Sequence, residues 1–306
     1  MIKRILMLKK IIKYLKPNAI QVLMGKYKQY QLKSRIVNYL RSSSEFEESE
    51  KKNIINYLTQ NQLSYFPYDF TKKYKADDVI VYTDDTNGMK YVLHESKRLY
   101  FKKKWDERKI QTYYNSLLIE QDIDSPHRYE TVNFCVEVGD VVVDAGAAEG
   151  NFALSVVERV RKLYLFEIDE EWGEALEMTF APWKEKIEII YKYVSDNDIG
   201  DCITLDSFLR GEKINFIKAD IEGAEIALLK GSKNILSNTE KLKMVLCTYH
   251  NPNDAEKIDQ ILTSDYKYNA EFSNGYMLFL YNTFLLSPPF LRRGVIRAIR
   301  LNNSAN

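Results

Sequence analysis

From about residue 137 the chain alternates between two rhythms. Short runs dense in Val, Ile, Leu and aromatic residues give way to stretches in which apolar residues recur every three or four positions. VGDVVVDAG (138–146), KLYLFEID (162–169), KIEIIYKYV (186–194), KINFIKAD (213–220) and KLKMVLCTYH (241–250) read as strands. EGNFALSVVERV (149–160), EEWGEALEMTF (170–180), TLDSFLR (204–210), AEIALLKGSKNIL (224–236) and NDAEKIDQILTS (253–264) read as helices between them. Strands alternating with helices build βαβ units and therefore a parallel sheet. The last two runs, KYNAEF (267–272) and GYMLFLY (275–281), meet at Ser273-Asn274-Gly275. A connection that short joins antiparallel strands, so the expected sheet is mixed, with one reversed strand at its end.

Upstream the pattern changes. Ile5, Leu8, Ile12 and Leu15 recur at helical spacing among Lys9, Lys10, Lys13 and Lys16. Residues 1–40 thus read as one or two basic amphipathic helices broken at Pro17. RSSSEFEESEKK (41–52) reads as a polar linker or an exposed helix start. VIVY and KYVLH flank DDTNG, a hairpin signal centred on Asn87-Gly88. Residues 105–120 are helical in pattern, and QDIDSPHRYE (121–130) is an irregular connector. The expected division is a basic helical segment with a small α+β subdomain over 1–124, for substrate binding or oligomerisation, an α/β domain over 125–285, and a basic tail over 286–306.

Composition adds an asymmetry. The 306 residues carry 44 Lys and Arg against 43 Asp and Glu, and a net charge of +1 names no partner. Yet residues 1–44 hold eleven of the basic groups and no acid, leaving 33 basic against 43 acidic groups in the rest. Lys-rich helices with Ile and Leu on the other face suit an anionic membrane surface, and TFLLSPPFLRRGVIRAIR (283–300) adds apolar residues beside Arg. The alternative is a helical subdomain with solvated lysines. No apolar run reaches the roughly 18 residues of a membrane span, and the start is too Lys-rich for a secretory signal. Cys135, Cys202 and Cys247 form no zinc spacing and are odd in number, as expected of reduced core residues in a cytoplasmic protein. No nucleic-acid motif accompanies the basic segment, so nucleic acid is not the expected partner. The Lys-, Ile-, Asn- and Tyr-rich usage suits a bacterial source.

The chemistry concentrates in VVVDAGAAEGNFAL (141–154). Asp144 ends a strand, and Gly146 and Gly150 open the turn into a helix. In an open α/β sheet, ligands sit beyond the carboxyl ends of the strands. The spacing Gly-x-x-x-Gly is not that of a dinucleotide fingerprint, no Gly-Lys-Ser/Thr of a P-loop follows, and an acid facing the site repels phosphate. Such an acid suits an ammonium instead. Glu167, 23 residues on at the next strand end, stands where an acid grips a ribose diol. A ribose, an amino-acid ammonium and no phosphate describe S-adenosylmethionine. The plainer alternative is a strand-end Asp capping a helix beside a tight turn.

Here the chain resembles the FkbM-type S-adenosylmethionine-dependent methyltransferases. The resemblance rests on DAGAAEGNF (144–152), LFEID (165–169), TLDSFL (204–209), KADIEGAEIALLKG (218–231) and TYHNPND (248–254), and it covers roughly 125–282. It implies an α/β class I methyltransferase (Rossmann-like) fold: a seven-stranded mixed sheet with an antiparallel last hairpin, here with an N-terminal α+β extension. It implies O-methylation of a sugar or other hydroxyl, with S-adenosylhomocysteine as product. It places Asp144, Gly146, Ala147, Gly150, Asn151, Glu167, Ile168, Ser195, Asp196 and Asp220 at the cofactor. The family often has a hydrophobic residue where Glu149 stands.

Methyl transfer from a sulfonium needs alignment first and a base for a sugar hydroxyl second. Asp220, Glu222 and His250 lie at strand carboxyl ends, and His250 is the expected base, with Asp220 positioning it. Alternatively Glu222 only caps the following helix, or the three ligate a divalent ion; no resident metal is expected. His127, Arg128 and Tyr129 read as a lid or substrate wall, with Arg128 able to bind an anionic group of the substrate. His94 reads as a surface residue. The expected acceptor is a carbohydrate or glycoconjugate, lipid-linked or membrane-proximal, handled in the cytoplasm or at the inner face of the membrane by an enzyme able to form a homo-oligomer. From another functional class, a non-catalytic module of the same fold would bind a partner or membrane through its basic ends.

Overall fold

The computed structural model describes residues 17–280 and 287–300. The described residues fall into two compact units, one from 17–68 with 278–280 and 287–290, the other from 69–277 with 291–300. Ile5, Leu8, Ile12 and Leu15 lie outside the described residues.

In the first unit, helix α1 spans Pro17–Ser42 and helix α2 spans Glu48–Gln60. Pro17, where the sequence reading placed the break between helices, is the first residue of α1. At the first helical position its missing N–H costs nothing, because that donor has no partner inside the helix anyway. Leu32, Ile36, Val37 and Leu40 of α1 and Ile54 and Leu58 of α2 are buried, while Tyr27 and Tyr30 are exposed. Among the described residues, no helix is long and apolar enough to cross a membrane.

The second unit opens with a small antiparallel sheet of β1 (Tyr82–Thr83), β2 (Lys90–His94) and β3 (Lys97–Tyr100). The Asn87-Gly88 hairpin joins β1 to β2 as its turn residues dictate, pairing Thr83 with Lys90. The second hairpin was not expected; it turns through Glu95 and Ser96, both left-handed. His94, expected at the surface, is half-buried between Tyr114 Oη (3.1 Å) and Ser155 Oγ (2.7 Å). Helix α3, Glu107–Glu120, begins at Asp106, whose side chain caps Lys109 N.

The main sheet has seven strands. In chain order these are β4 (Val141–Ala145), β5 (Lys162–Phe166), β6 (Ile187–Ile190), β9 (Phe216–Ala219), β10 (Lys243–Cys247), β11 (Asn269–Phe272) and β14 (Val295–Ile299). The intervening numbers belong to two-residue strands outside this sheet: β7 (Tyr193–Val194), β8 (Cys202–Ile203), β12 (Met277–Leu278) and β13 (Leu291–Arg292). Across the sheet the order is β11-β14-β10-β9-β4-β5-β6. All neighbours are parallel except β14, which runs antiparallel to both β10 and β11. Helices α4 (Asn151–Val156) and α5 (Gly173–Phe180) link the first three strands; α6 (Leu205–Leu209), α7 (Glu225–Lys230), α8 (Lys233–Asn238) and α9 (Asp254–Gln260) follow. This is the class I methyltransferase architecture.

One detail differs from the sequence reading. The reversed strand is not GYMLFLY, of whose described residues only Met277 and Leu278 are strand, but VIRAI from the segment taken as a basic tail. The sheet therefore extends past residue 285. VIRAI fits because Val295, Ile296 and Ala298 are buried, and Arg297 spends its charge on main-chain carbonyls, Nη2 to Arg128 O (2.6 Å) and Nε to Tyr129 O (3.2 Å).

The strands are apolar throughout because both faces are covered. Val141, Val143, Ile217, Met244 and Leu246 feed one core and Val142, Leu163, Phe216, Val245 and Cys247 the other. The interruptions lie at the second face's carboxyl end, where Asp144 and Lys218 stand opposite each other in register. Strand order reverses between β4 and β9, and the crevice for a ligand opens at that switch point.

Candidate functional site

The turn after β4 is built for close contact within the chain. Gly146 has φ +77°, and a Cβ there would lie 1.9 Å from Asp220 O; at Gly150, φ +86°, it would lie 2.8 Å from the Phe180 ring. Only glycine satisfies both the left-handed backbone and the missing volume. The two glycines thus clamp the turn against the end of β9 and against α5. Gly146 N and Ala147 N both donate to Phe166 O, and Asn151 begins α4 with its Oδ1 accepting from Phe152 N.

Asp144 is fully buried, and Lys218 Nζ sits 2.9 Å from its Oδ1. Nζ also donates to Gly146 O at 2.6 Å and lies 5.3 Å from the Tyr129 ring centroid. Burial disfavours the ammonium, but the carboxylates of Asp144 and Asp220 outweigh it and keep Lys218 charged. The expectation that Asp144 faces a ligand ammonium is therefore corrected: its charge is spent on Lys218 beneath the turn. Lys218 could have been noticed as a cation inside the apolar run KINFIKA, two residues before Asp220 and so on the same face of the strand.

Glu167 lies at the carboxyl end of β5. Its Oε2 accepts from Ala148 N (2.8 Å) and its Oε1 from Asp169 N (2.7 Å). Each oxygen keeps capacity for one further donor, which is what the two hydroxyls of a ribose offer. Glu167 thus keeps acceptor capacity at the strand end where the sequence reading placed a ribose contact, and Ile168 follows it half-buried. Ser195 and Asp196 are placed less tellingly. Ser195 N pairs with Ile203 O, while Asp196 is exposed and accepts from Asn197 Nδ2.

Glu149 is 2% exposed and accepts from Tyr113 Oη at 2.6 Å. Burial is the main cause that pushes its carboxyl up to about 7, against the opposing pull of Tyr113 and a backbone N–H. Tyr113 packs edge-on against Trp105, 5.0 Å between centroids. The sequence offered one signal for this group, an acid where the family often has a hydrophobic residue.

Asp220 gathers the rest. Its Oδ2 accepts from Tyr129 Oη (2.9 Å) and its Oδ1 from Tyr249 Oη (3.0 Å), with His127 Nε2 and His250 Nε2 each 3.4 Å away. Burial alone would raise its pKa, but hydrogen bonding and charge from His127, with Lys218 and His250 behind, hold the carboxyl far below the usual range. His250 is wedged between two acids: Nε2 faces Asp220, and Nδ1 lies 3.2 Å from Oε1 of the fully buried Glu225. Burial lowers its pKa, but Glu225, Asp220 and Glu222 together raise it above the ordinary histidine value. Arg292 Nη1 pins the main chain here through Tyr249 O (2.5 Å) and His250 O (2.6 Å).

The capping role considered for Glu222 falls to Glu225, to which the sequence reading gave no role. Glu222 is left-handed (φ 54°), its side chain is 88% exposed, and it stands 3.8 Å from His250 Nε2. It does not cap α7. Glu225 instead accepts from Ile221 N at 3.0 Å, closing the turn before the helix, and orients His250 as well.

The His127-Arg128-Tyr129 connector is a fixed wall rather than a lid. His127 and Tyr129 are buried, and Arg128 reaches two main-chain carbonyls, Glu130 O (2.6 Å) and Gln121 O (2.7 Å). Its guanidinium is a staple here, not an anion receptor. Arg297 and Ser273 hold the same segment from behind, the latter through Ser273 Oγ to Pro126 O at 2.5 Å.

Residues 182–272 match the family model of the methyltransferase FkbM domain. No curated protein matches the sequence. Among solved structures, the methyltransferase FkbM from Methylobacillus flagellatus KT is similar at 16% identity, over 63% of this chain and 53% of that one, with a TM-score of 0.45. The match thus spans about half the length of that relative. An rRNA methylase from Streptococcus thermophilus is similar at 18% identity over 55% of this chain and 90% of its own, TM-score 0.38. Magnesium protoporphyrin IX methyltransferase from Synechocystis PCC 6803, with SAM bound, is similar at 15% identity over 53% of this chain and 71% of its own, TM-score 0.35. The family match takes in both the KADIEGAE signature and the TYH strand end: over residues 182–272 the chain is similar to the methyltransferase FkbM domain.

Proposed function

We propose that this protein transfers a methyl group from S-adenosylmethionine to a hydroxyl oxygen of a sugar or glycan. The observation that carries this reading is the convergence of Asp220, His250 and Glu225 at the carboxyl ends of β9 and β10, with Gly146 packed directly on Asp220 O. When bound, the cofactor supplies an already activated methyl, so the chain's own task is alignment and removal of one proton. Glu167, at the far side of the same turn, would hold the ribose. The Gly146–Gly150 turn would present backbone to the nucleoside, and Ser195 and Asp196 would reach the adenine. Asp144 would serve through Lys218, by fixing the turn.

His250 would take the acceptor's proton at Nε2. Glu225 fixes the ring from the Nδ1 side, and Asp220 balances the imidazolium once it forms. Tyr129 and Tyr249 fix Asp220 through their hydroxyls. That the acceptor is a carbohydrate rests on the family resemblance. The basic N-terminal segment would hold the enzyme near an anionic membrane and a lipid-linked glycan.

The test is mass spectrometry of candidate glycans incubated with enzyme and S-adenosylmethionine. One added methyl that vanishes with Asp220→Ala or His250→Ala is expected. Transfer to RNA and not to glycans would reject the acceptor class. An absence of binding heat with S-adenosylmethionine would reject the reading altogether. Sedimentation with anionic vesicles tests the membrane contact, which should be lost on deleting residues 1–40.

A further inference from the structure

Three donors of different chemistry meet on one face of the sheet, under the crevice. His127 comes from the connector before β4, Asp220 from the residue after β9, and Cys247 from the last residue of β10. His127 Nε2 stands 3.4 Å from Asp220 Oδ2 and 3.6 Å from Cys247 Sγ. One donor atom from each of the three lies within 4.8 Å of the others. His127 is 2% exposed, Cys247 is fully buried, and only Asp220 opens toward the crevice, with its side chain 21% exposed.

These separations have a geometric meaning. Zinc bonds of about 2.0–2.1 Å to nitrogen or oxygen and about 2.3 Å to sulfur, at tetrahedral angles, place neighbouring ligand atoms about 3.3–3.6 Å apart. The two distances from Nε2 match that spacing without any movement of the backbone. Tyr249 Oη, 3.2 Å from the same nitrogen and 3.0 Å from Asp220 Oδ1, stands close enough to complete four donors. A set of one nitrogen, one sulfur and two oxygens suits a borderline ion such as Zn²⁺ rather than Mg²⁺ or Ca²⁺.

A neighbouring cluster, Asp220, Glu225 and His250, also brings three candidate donors together. There the ring turns Nε2 to one acid and Nδ1 to the other. A single ion cannot bond both nitrogens of one imidazole, so that cluster reads as a hydrogen-bonded relay.

We propose that His127, Asp220 and Cys247 form a Zn²⁺ site, with Tyr249 Oη as fourth donor. Binding forms the Zn–S bond as the Cys247 proton leaves to solvent, and His127 Nε2 gives its lone pair to the ion. The thiolate and the Asp220 carboxylate then balance the two positive charges, and the adjacent Asp144–Lys218 pair is neutral by itself. The ion locks the end of β9 to the end of β10 and to the connector, and so fixes Asp220 toward His250.

The experiment reads metal, not methyl transfer, and so is separate from the fate of the proposed activity. The full-length protein is stripped with a chelator, dialysed against zinc chloride and then against metal-free buffer, and assayed by plasma mass spectrometry. About one equivalent of zinc per chain is expected. The cobalt-loaded protein should show strong tetrahedral d–d bands and a thiolate-to-cobalt charge-transfer band. Cys247→Ser should remove the charge-transfer band and weaken binding at least about ten-fold, whereas Cys135→Ser and Cys202→Ser should retain both. Retention of less than about a tenth of an equivalent by the folded wild type overturns the proposal. So does a cobalt spectrum without the thiolate band, which decides the matter on the wild type even if Cys247→Ser fails to fold.

Discussion

Replacing Lys218 by Met leaves Asp144 as a buried carboxylate without its partner. The pair is 2.9 Å apart, Asp144 is fully buried and Lys218 is 4% exposed, so water cannot take over either charge. Removing one member of such a pair costs about 3–5 kcal/mol, mostly the desolvation of the charge left behind. Lys218→Met also deletes the bond to Gly146 O, so the loss should fall at the upper end. In a domain of this size one kcal/mol moves the melting temperature by about 2–4 °C, so a drop of about 10 °C or more is expected by calorimetry. The double variant Asp144→Leu/Lys218→Met removes both charges at roughly constant volume and should return to within about 1–2 kcal/mol of the wild type, because a buried pair and an apolar isostere differ little. Both single variants should weaken S-adenosylmethionine binding alike in titration calorimetry, since each loosens the same turn. A Lys218→Met protein as stable as the wild type, or one that loses stability additively with Asp144→Leu, would return Asp144 to a direct role at the ligand.

Gly146→Ala should cost about 2–5 kcal/mol, adding a left-handed backbone penalty to a clash with the Asp220 carbonyl that cannot swing away; an unfolding midpoint shifted by under about 1 kcal/mol would contradict the 1.9 Å approach. Glu149, raised from 4.5 to about 7, keeps its proton in the fold over a range where the unfolded chain has released it. Stability should therefore fall as pH rises from about 4.5 to 7, by roughly 3 kcal/mol. Glu149→Gln should flatten that fall, and urea midpoints of the two proteins that decline in parallel between pH 5 and 8 would rule it out. Glu225→Gln should lower kcat at least about ten-fold while leaving the affinity for S-adenosylmethionine unchanged, because it orients His250 and touches no ligand; a loss confined to KM would show that it acts elsewhere. Glu167→Gln should weaken the cofactor about 10–100-fold by titration calorimetry, since an amide offers one acceptor oxygen where the carboxylate offers two, and unchanged affinity would dismiss the ribose assignment.

The sheet was legible because its strands are buried on both faces. VVVDA, KLYLF, FIKA and KMVLC had to be nearly continuous apolar runs, and the glycine turn with Glu167 at the next strand end marked the crevice. What each polar group inside those runs does was not legible. Asp144 reads locally as a carboxylate aimed at a ligand; its partner, Lys218, is 74 residues away and meets it only through the parallel register of β4 and β9. VIRAI reads as a basic tail until the fold lays Arg297 against the carbonyls of Arg128 and Tyr129. Glu222 and Glu225 are equal as letters, and the left-handed turn at Glu222 sends one into solvent and leaves the other to meet His250. Hydrophobic burial is a property of a segment's own pattern and survives in the sequence. The meaning of a charge depends on what lies a few ångströms across from it, and that is decided only when distant strands are brought side by side.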